Sequence, residues 1–235
     1  MGLDWNPLGK PKPGMEAEFY RLLGQLGKAE HWVQPVPFHF ENIDESKKDA
    51  LLDRFFAIQI SPYETLNPPR VGRDAKADAW ILSKYDDAPN KPPTKEEWLK
   101  KFNGFYAMEL LPECDGLPVY SNYSLGSYWE RWSFRAQFLD RFCEDVLGET
   151  LLTEAFLNHL PDQLADYGKR LMNCARAYAK IHDVSHILTA RRFSREEEAA
   201  GVDSASPLYK THIIASAARW AAFWSSRGHG MTTDY

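Results

Sequence analysis

The sharpest chemical pattern in the sequence is the run His182-Asp183-Val184-Ser185-His186. Two His residues four positions apart on a helix lie on the same face and can bind one metal ion. The run follows the small and apolar stretch 175–181, which favours a helix. One interpretation is therefore a metal site at His182, Asp183 and His186. The other is that both His residues are partly exposed helix residues that hold no ligand.

The His-Asp dyad after a small, apolar helical stretch resembles the core of the HD-domain metal-dependent phosphohydrolases, which are all-helical enzymes. The resemblance covers only the residues around the dyad. It implies a divalent metal held with an earlier His and a later Asp, for which His159 and Asp203 are the plausible residues. On an ideal helix, His182 lies about 60° and His186 about 100° from the centre of the apolar face. Such a metal would bind at the rim of a helical bundle.

A second candidate is a loop with two Arg residues. Arg70 and Arg73 flank Gly72, directly before a helix that is expected to begin near Asp74. Free backbone N–H groups at a helix start, with guanidinium groups nearby, suit an anion. The loop lacks the glycine spacing and the Lys-Ser/Thr ending of a phosphate-binding loop. The alternative is a proline-stiffened loop whose Arg side chains pair with local acids.

A third candidate is the aromatic and polar segment 111–132. Its candidate ligand-binding residues are Tyr120, Asn122, Tyr123 and Trp129. Polar groups between aromatic walls, on a long loop beside a helix, suit a ligand pocket or a contact surface. The alternative is a loop whose aromatic side chains cover the hydrophobic core.

Nucleophilic catalysis finds little support in the sequence. The Gly-x-Ser-x-Gly turn of the α/β-hydrolases is absent. Cys114 is followed by Asp115, whose charge would raise the pKa of the thiol. His212, Ser216 and Arg219 share one face of a helix, where we expect a solvated polar stripe.

Hydrophobic periodicity predicts that helices carry these residues. An apolar seam with steps of three and four residues runs from Leu164 to Leu188 and predicts one long helix after Pro161. A last helix is predicted from about Pro207 to Ser226. Its small residues Ala215, Ala218 and Ala222 would let a neighbouring helix approach closely.

The predicted fold is mainly α, in a single domain of residues 1–235. A C-terminal helical bundle, about 128–226, carries a loop-rich N-terminal half, about 1–127. Short strands are expected near 33–40 and 105–122, and the tail 227–235, with its two Gly residues, is expected to fray.

Composition narrows the classes of protein. The 235 residues carry a net charge of −5, which disfavours a nucleic-acid partner. Three widely spaced Cys residues do not form a disulfide framework, so a reducing compartment is expected. Neither a signal peptide nor an apolar run long enough for a membrane span is visible. The sequence thus favours a soluble, cytoplasmic protein that binds no membrane.

Two functions remain from the sequence. The first is a non-catalytic binding or interaction protein without a cofactor, whose partner is a protein or a small molecule. It follows from an aromatic-rich, acidic helical chain that lacks a strong catalytic signature. The alternative is a metal-dependent phosphohydrolase that uses His182 and Asp183 and holds its substrate's phosphate with Arg70 and Arg73. The sequence leaves open whether the protein is an enzyme.

Overall fold

A computed structural model describes residues 2–111, 133–190 and 203–234. It is mainly helical, as predicted, with a few short antiparallel strands. The helices are α1 (Glu16–Leu26), α2 (Lys48–Ala57), α3 (Pro62–Leu66), α4 (Ala75–Ser83), α5 (Lys95–Lys101), α6 (Gln137–Phe142), α7 (Glu144–Glu154), α8 (Pro161–Ile181) and α9 (Pro207–Ser225). The strands are β1 (Asp4–Pro7), β2 (Lys10–Pro11), β3 (Gln59–Ile60) and β4 (Met231–Asp234). None of the helices in these ranges is long and apolar enough to cross a membrane.

The described residues group into two compact units. The first contains residues up to 62 together with those from 133 onward, and the second contains residues 63–111. The first 62 residues therefore group with the C-terminal helices, and the organisation as a single domain stays a prediction. Only the first unit contains the long helices α8 and α9.

The two long helices begin where local chemistry predicts. Pro161 occupies the first turn of α8, and the Leu160 backbone N–H donates to Oε1 of Gln163 at 2.9 Å. Pro207 likewise opens α9, and the Ser206 hydroxyl oxygen accepts from the Tyr209 backbone N–H at 3.2 Å. At a helix start, a proline has no backbone N–H to leave unpaired, and a capping side chain accepts a hydrogen bond from a backbone N–H that would otherwise be unpaired.

α8 is shorter than its apolar seam predicted. The helix ends at Ile181, and Asp183 adopts the left-handed backbone conformation with φ of 56°. The Val184 backbone N–H then donates to the Ala179 carbonyl at 2.9 Å, a bond typical of a left-handed helix end. The seam continues in a 3₁₀ helix, Ser185–Thr189, where Ile187 is buried. One continuous helix from Pro161 to Leu188 was therefore a wrong prediction.

The strands also differ from the prediction. Residues 33–40 form a loop, next to an isolated bridge between Trp32 and Asn158. Within 105–111 no strand forms: Tyr106 makes an isolated bridge with Arg70, and Met108–Leu110 form a 3₁₀ helix. Residues 112–122 lie outside the described residues. The tail does not fray over its described part, because β4 pairs antiparallel with β1 and buries Met231. This pairing joins opposite ends of the chain, so no local signal could reveal it.

Trp5 ties β1 to both long helices. Its side chain is fully buried, with ring centroids 5.8 Å from Tyr167 on α8 and 5.6 Å from Trp220 on α9. Its indole N–H donates to the Ala155 carbonyl at 2.8 Å, so the polar atom of this large side chain is satisfied. The core of the first unit therefore fixes α8 against α9. α8 keeps an exposed second face that includes Lys169 and Arg176, whereas α9 is buried on all sides over 211–218.

Candidate functional site

A groove of about 620 Å³ lies between α8 and α9. Its volume falls in the range of about 300–1,000 Å³ that small-molecule sites occupy. The apolar part of its wall comes from Ala165, Gly168 and Met172 of α8 and from Ala218 and Ala222 of α9. The groove therefore has a floor of small side chains, with the half-buried Met172 standing above it.

Close packing of the two helices forms this floor. A Cβ atom placed on Gly168 would lie 3.0 Å from Cβ of Ala221 and 3.3 Å from the carbonyl oxygen of Ala218. Only a residue without a side chain fits such a crossing without displacing α9. Small residues on both sides of the crossing leave the groove open above it.

Positive charges line the groove. Lys169 and Arg176 of α8 are exposed, and neither forms an ion pair within the described residues. Arg219 of α9 adds a third cation, whereas Asp162 in the first turn of α8 is the one acidic residue among the described residues of the lining. The described lining residues thus carry a net charge of +2, in a chain whose net charge is −5.

Arg219 is held in place by the backbone. Its guanidinium donates to the carbonyl oxygens of Leu188 and Ala190, the latter at 3.0 Å, and to the Ser216 hydroxyl at 2.9 Å. His212 donates through Nε2 to the same Ala190 carbonyl at 3.1 Å. His212 and Ser216 are buried, so the expected solvated stripe is instead a buried polar layer between α9 and the segment after α8.

The His residues of the metal prediction do not share a helix. His182 caps the end of α8, Asp183 has a positive φ, and His186 belongs to the 3₁₀ helix that follows. All three side chains are exposed, and the His182 ring lies 4.4 Å from the Tyr178 ring. The expected placement of two His side chains on one helical face was therefore wrong.

The two residues proposed to complete that metal site serve local contacts. His159 is fully buried, donates through Nε2 to the Glu154 carbonyl at 2.9 Å, and stacks on Tyr167. Burial lowers the pKa of His159. Asp203 accepts the Ala205 backbone N–H at 3.0 Å. Across the described residues, no group of three or more His, Cys, Asp or Glu side chains could hold a metal ion.

The predicted anion loop belongs to the second unit. The Arg70 backbone N–H donates to the Asp74 carboxylate at 2.7 Å, and the Gly72 backbone N–H donates to the Asp78 carboxylate at 2.7 Å. Two side-chain carboxylates thus already occupy donors that the prediction took to be free. Arg73 is exposed.

The Arg70 side chain packs within this unit as well. Its guanidinium lies 4.5 Å above the Tyr106 ring and its Nε donates to the Gly104 carbonyl at 3.2 Å. The Tyr63 ring stacks on the Tyr106 ring at 4.4 Å. Arg70 therefore has a structural role, and binding of an anion by Arg70 and Arg73 stays a prediction.

The candidate ligand-binding residues of the aromatic segment 111–132 cannot be compared with the structure. Tyr120, Asn122, Tyr123 and Trp129 lie outside the described residues, so a ligand site there stays a prediction. The groove residues, by contrast, were missed by sequence reasoning. The available signal was the seven-residue spacing of Asp162, Lys169 and Arg176 on one side of α8.

Comparisons of the chain with protein-family models, with curated proteins and with solved structures found no match.

Proposed function

We propose that this chain is a non-catalytic binding protein whose ligand site is the groove between α8 and α9. The observation that carries the proposal is a pair of cations without ion-pair partners in the described residues, Lys169 and Arg176, beside an apolar floor. A ligand with an anionic group and an apolar body would satisfy both parts of this surface.

The chemistry of the lining favours binding over catalysis. His and Cys are absent from the groove lining that the described residues provide, so it holds neither an imidazole base nor a thiol. The Ser225 and Ser226 hydroxyls donate to the Ala222 and Phe223 carbonyls of their own helix at 3.3 and 2.9 Å. Hydroxyls bonded in this way have no base to activate them as nucleophiles.

An anionic dye with an apolar body tests the proposal. Titration of the native protein with 1-anilinonaphthalene-8-sulfonate should give a saturable rise in fluorescence. The double variant Lys169→Glu/Arg176→Glu should bind the dye about tenfold more weakly, because exposed pairs contribute roughly 0.2–1 kcal/mol each and reversal adds repulsion. Lys180→Glu is the matched control, since Lys180 is an exposed residue of α8 that does not line the groove.

A second variant separates charge from shape. Ala165→Trp should fill the floor of the groove and abolish dye binding while all three cations remain. Melting temperatures of all variants should stay close to that of the wild type. Equal dye affinity of the wild type, the double charge variant and Ala165→Trp would show that the groove is not the binding site.

A further inference from the structure

We infer that the natural occupant of the groove between α8 and α9 is an acidic amphipathic helix of a partner protein. This inference rests on the proposed function, because it identifies the class of ligand for the same groove. Three features of the groove carry it: the spacing of its lining residues, its length and its charge.

The lining residues of α8 repeat as helix-contact residues do. Five of the eight described α8 residues that line the groove follow one another at steps of three, four, three and four: Asp162, Ala165, Lys169, Met172 and Arg176. This heptad spacing keeps a row of side chains facing another helix along its whole length. A compact ligand would need one cluster of residues and no such repeat.

This row is a second contact face of α8. The first face is already covered, since Leu164, Tyr167, Leu171 and Ala175 are completely buried. The facing side of the groove has a matching pattern on α9, where Ala218, Ala222 and Ser225 follow at steps of four and three. Small residues in such rows allow a third helix to lie in the channel between the other two.

The dimensions and charges describe the occupant. The α8 lining rises roughly 21 Å from Asp162 to Arg176, and the α9 lining rises roughly 12 Å from Ala218 to Ser226, so the groove matches a partner helix of about two to four turns. Lys169 and Arg176 lie seven residues apart, so carboxylates at the same spacing on the partner helix would complement their charges. A second copy of this chain fits less well, because it would bring the same cationic lining against itself.

Two synthetic peptides test the inference. Both have about 18 residues and a heptad stripe of Leu and Ala, and the residues flanking the stripe are Glu in one and Lys in the other. Fluorescence anisotropy measures binding, and circular dichroism measures the helix content gained. The Glu peptide should bind the wild-type protein about tenfold more tightly than the Lys peptide and should become helical on binding, because short helices are marginal in water.

Charge reversal supplies the specificity control. Lys169→Glu/Arg176→Glu should reverse the preference to the Lys peptide, whereas Lys180→Glu should leave the preference unchanged. Ala165→Trp should abolish binding of both peptides. This set of results would support a helix in the groove.

Other outcomes overturn the inference in distinguishable ways. If the dye binds the groove but the Glu peptide shows no preference or gains no helix, the ligand is a small anionic molecule and only the helical partner is refuted. If the wild-type protein binds neither the Glu peptide nor the dye, or if the groove variants bind the dye as tightly as the wild type, the proposed function is refuted as well. Self-association in sedimentation equilibrium that Lys169→Glu/Arg176→Glu abolishes would identify a second copy as the occupant and overturn the inference.

Discussion

Replacing His229 with Asn tests how strongly one buried imidazole links the stability of this fold to pH. His229 is fully buried just before β4, and its Nδ1 donates to the Leu8 carbonyl at 2.8 Å. Burial first, then the nearby positive charges of Lys10 and Arg227, lower the pKa of His229 from 6.5 to about 4. The side chain is therefore neutral in the folded protein at pH values where the unfolded chain binds a proton.

The sign and size of the effect follow from these two pKa values. Because the folded-state pKa is depressed, the unfolded chain takes up the proton first as the pH falls below 6.5. Stability is lost progressively between pH 6.5 and about 4, and the loss levels off once the folded protein is protonated too. The difference corresponds to about 3 kcal/mol in the free energy of unfolding. Burial lowers the pKa of His159 as well, so its contribution has the same sign.

Urea unfolding followed by Trp fluorescence at several pH values between 7 and 4.5 measures the effect. The Asn amide N–H can still donate to Leu8 but does not titrate in this range. The free energy of unfolding should fall between pH 7 and 4.5 by about 2–3 kcal/mol more in the wild type than in His229→Asn. His186→Asn, at an exposed position, is the control and should retain the wild-type slope. Equal slopes for the wild type and His229→Asn would refute the argument.

Three further predictions concern packing and reactivity. Trp5→Ala should lower the free energy of unfolding by about 3–5 kcal/mol, measured in urea, because it empties the contact between β1 and both long helices. Gly168→Val should lower the melting temperature and weaken dye binding, since its Cβ would meet Ala221 at 3.0 Å; unchanged stability would contradict the close crossing. Cys143 should react with dithionitrobenzoate only after unfolding, because burial raises the pKa of its thiol to about 12. Mass mapping of the labelled Cys in native protein checks this last prediction.

Local sequence signals predicted helix starts well. The Thr94 hydroxyl oxygen accepts the Glu97 backbone N–H at 3.2 Å, which is the bond expected of a Thr directly before a helix. The last helix was predicted from Pro207 to Ser226 and ends at Ser225. Such starts depend on residues within one turn of each other, so the sequence displays all the participating groups. The end of α8 was missed because the apolar periodicity continues past Asp183. Hydrophobic spacing carries no information on the left-handed backbone conformation of that residue.

The candidate sites were harder to predict than the helices. The predicted metal site requires His182 and His186 to lie on one continuous helix. The left-handed backbone conformation of Asp183 ends the helix between them, so this requirement is not met. The charges of the groove were visible as Lys169 and Arg176, but surface Lys and Arg are common on helices. Only the packing of α8 against α9 shows that these two cations border an apolar groove rather than open solvent.

The sequence by itself determined that the chain is mainly helical, where its two long helices begin, and that apolar periodicity drives them together, because those features depend on neighbours within a few residues. Tertiary structure alone decided that β1 pairs with β4 across the length of the chain and that His229 is buried neutral. It also decided that α8 and α9 cross closely at Gly168 and Ala221, where their small residues form the floor of the groove. Each of these depends on groups far apart in sequence, whose contact becomes favourable only when the rest of the core has brought them together.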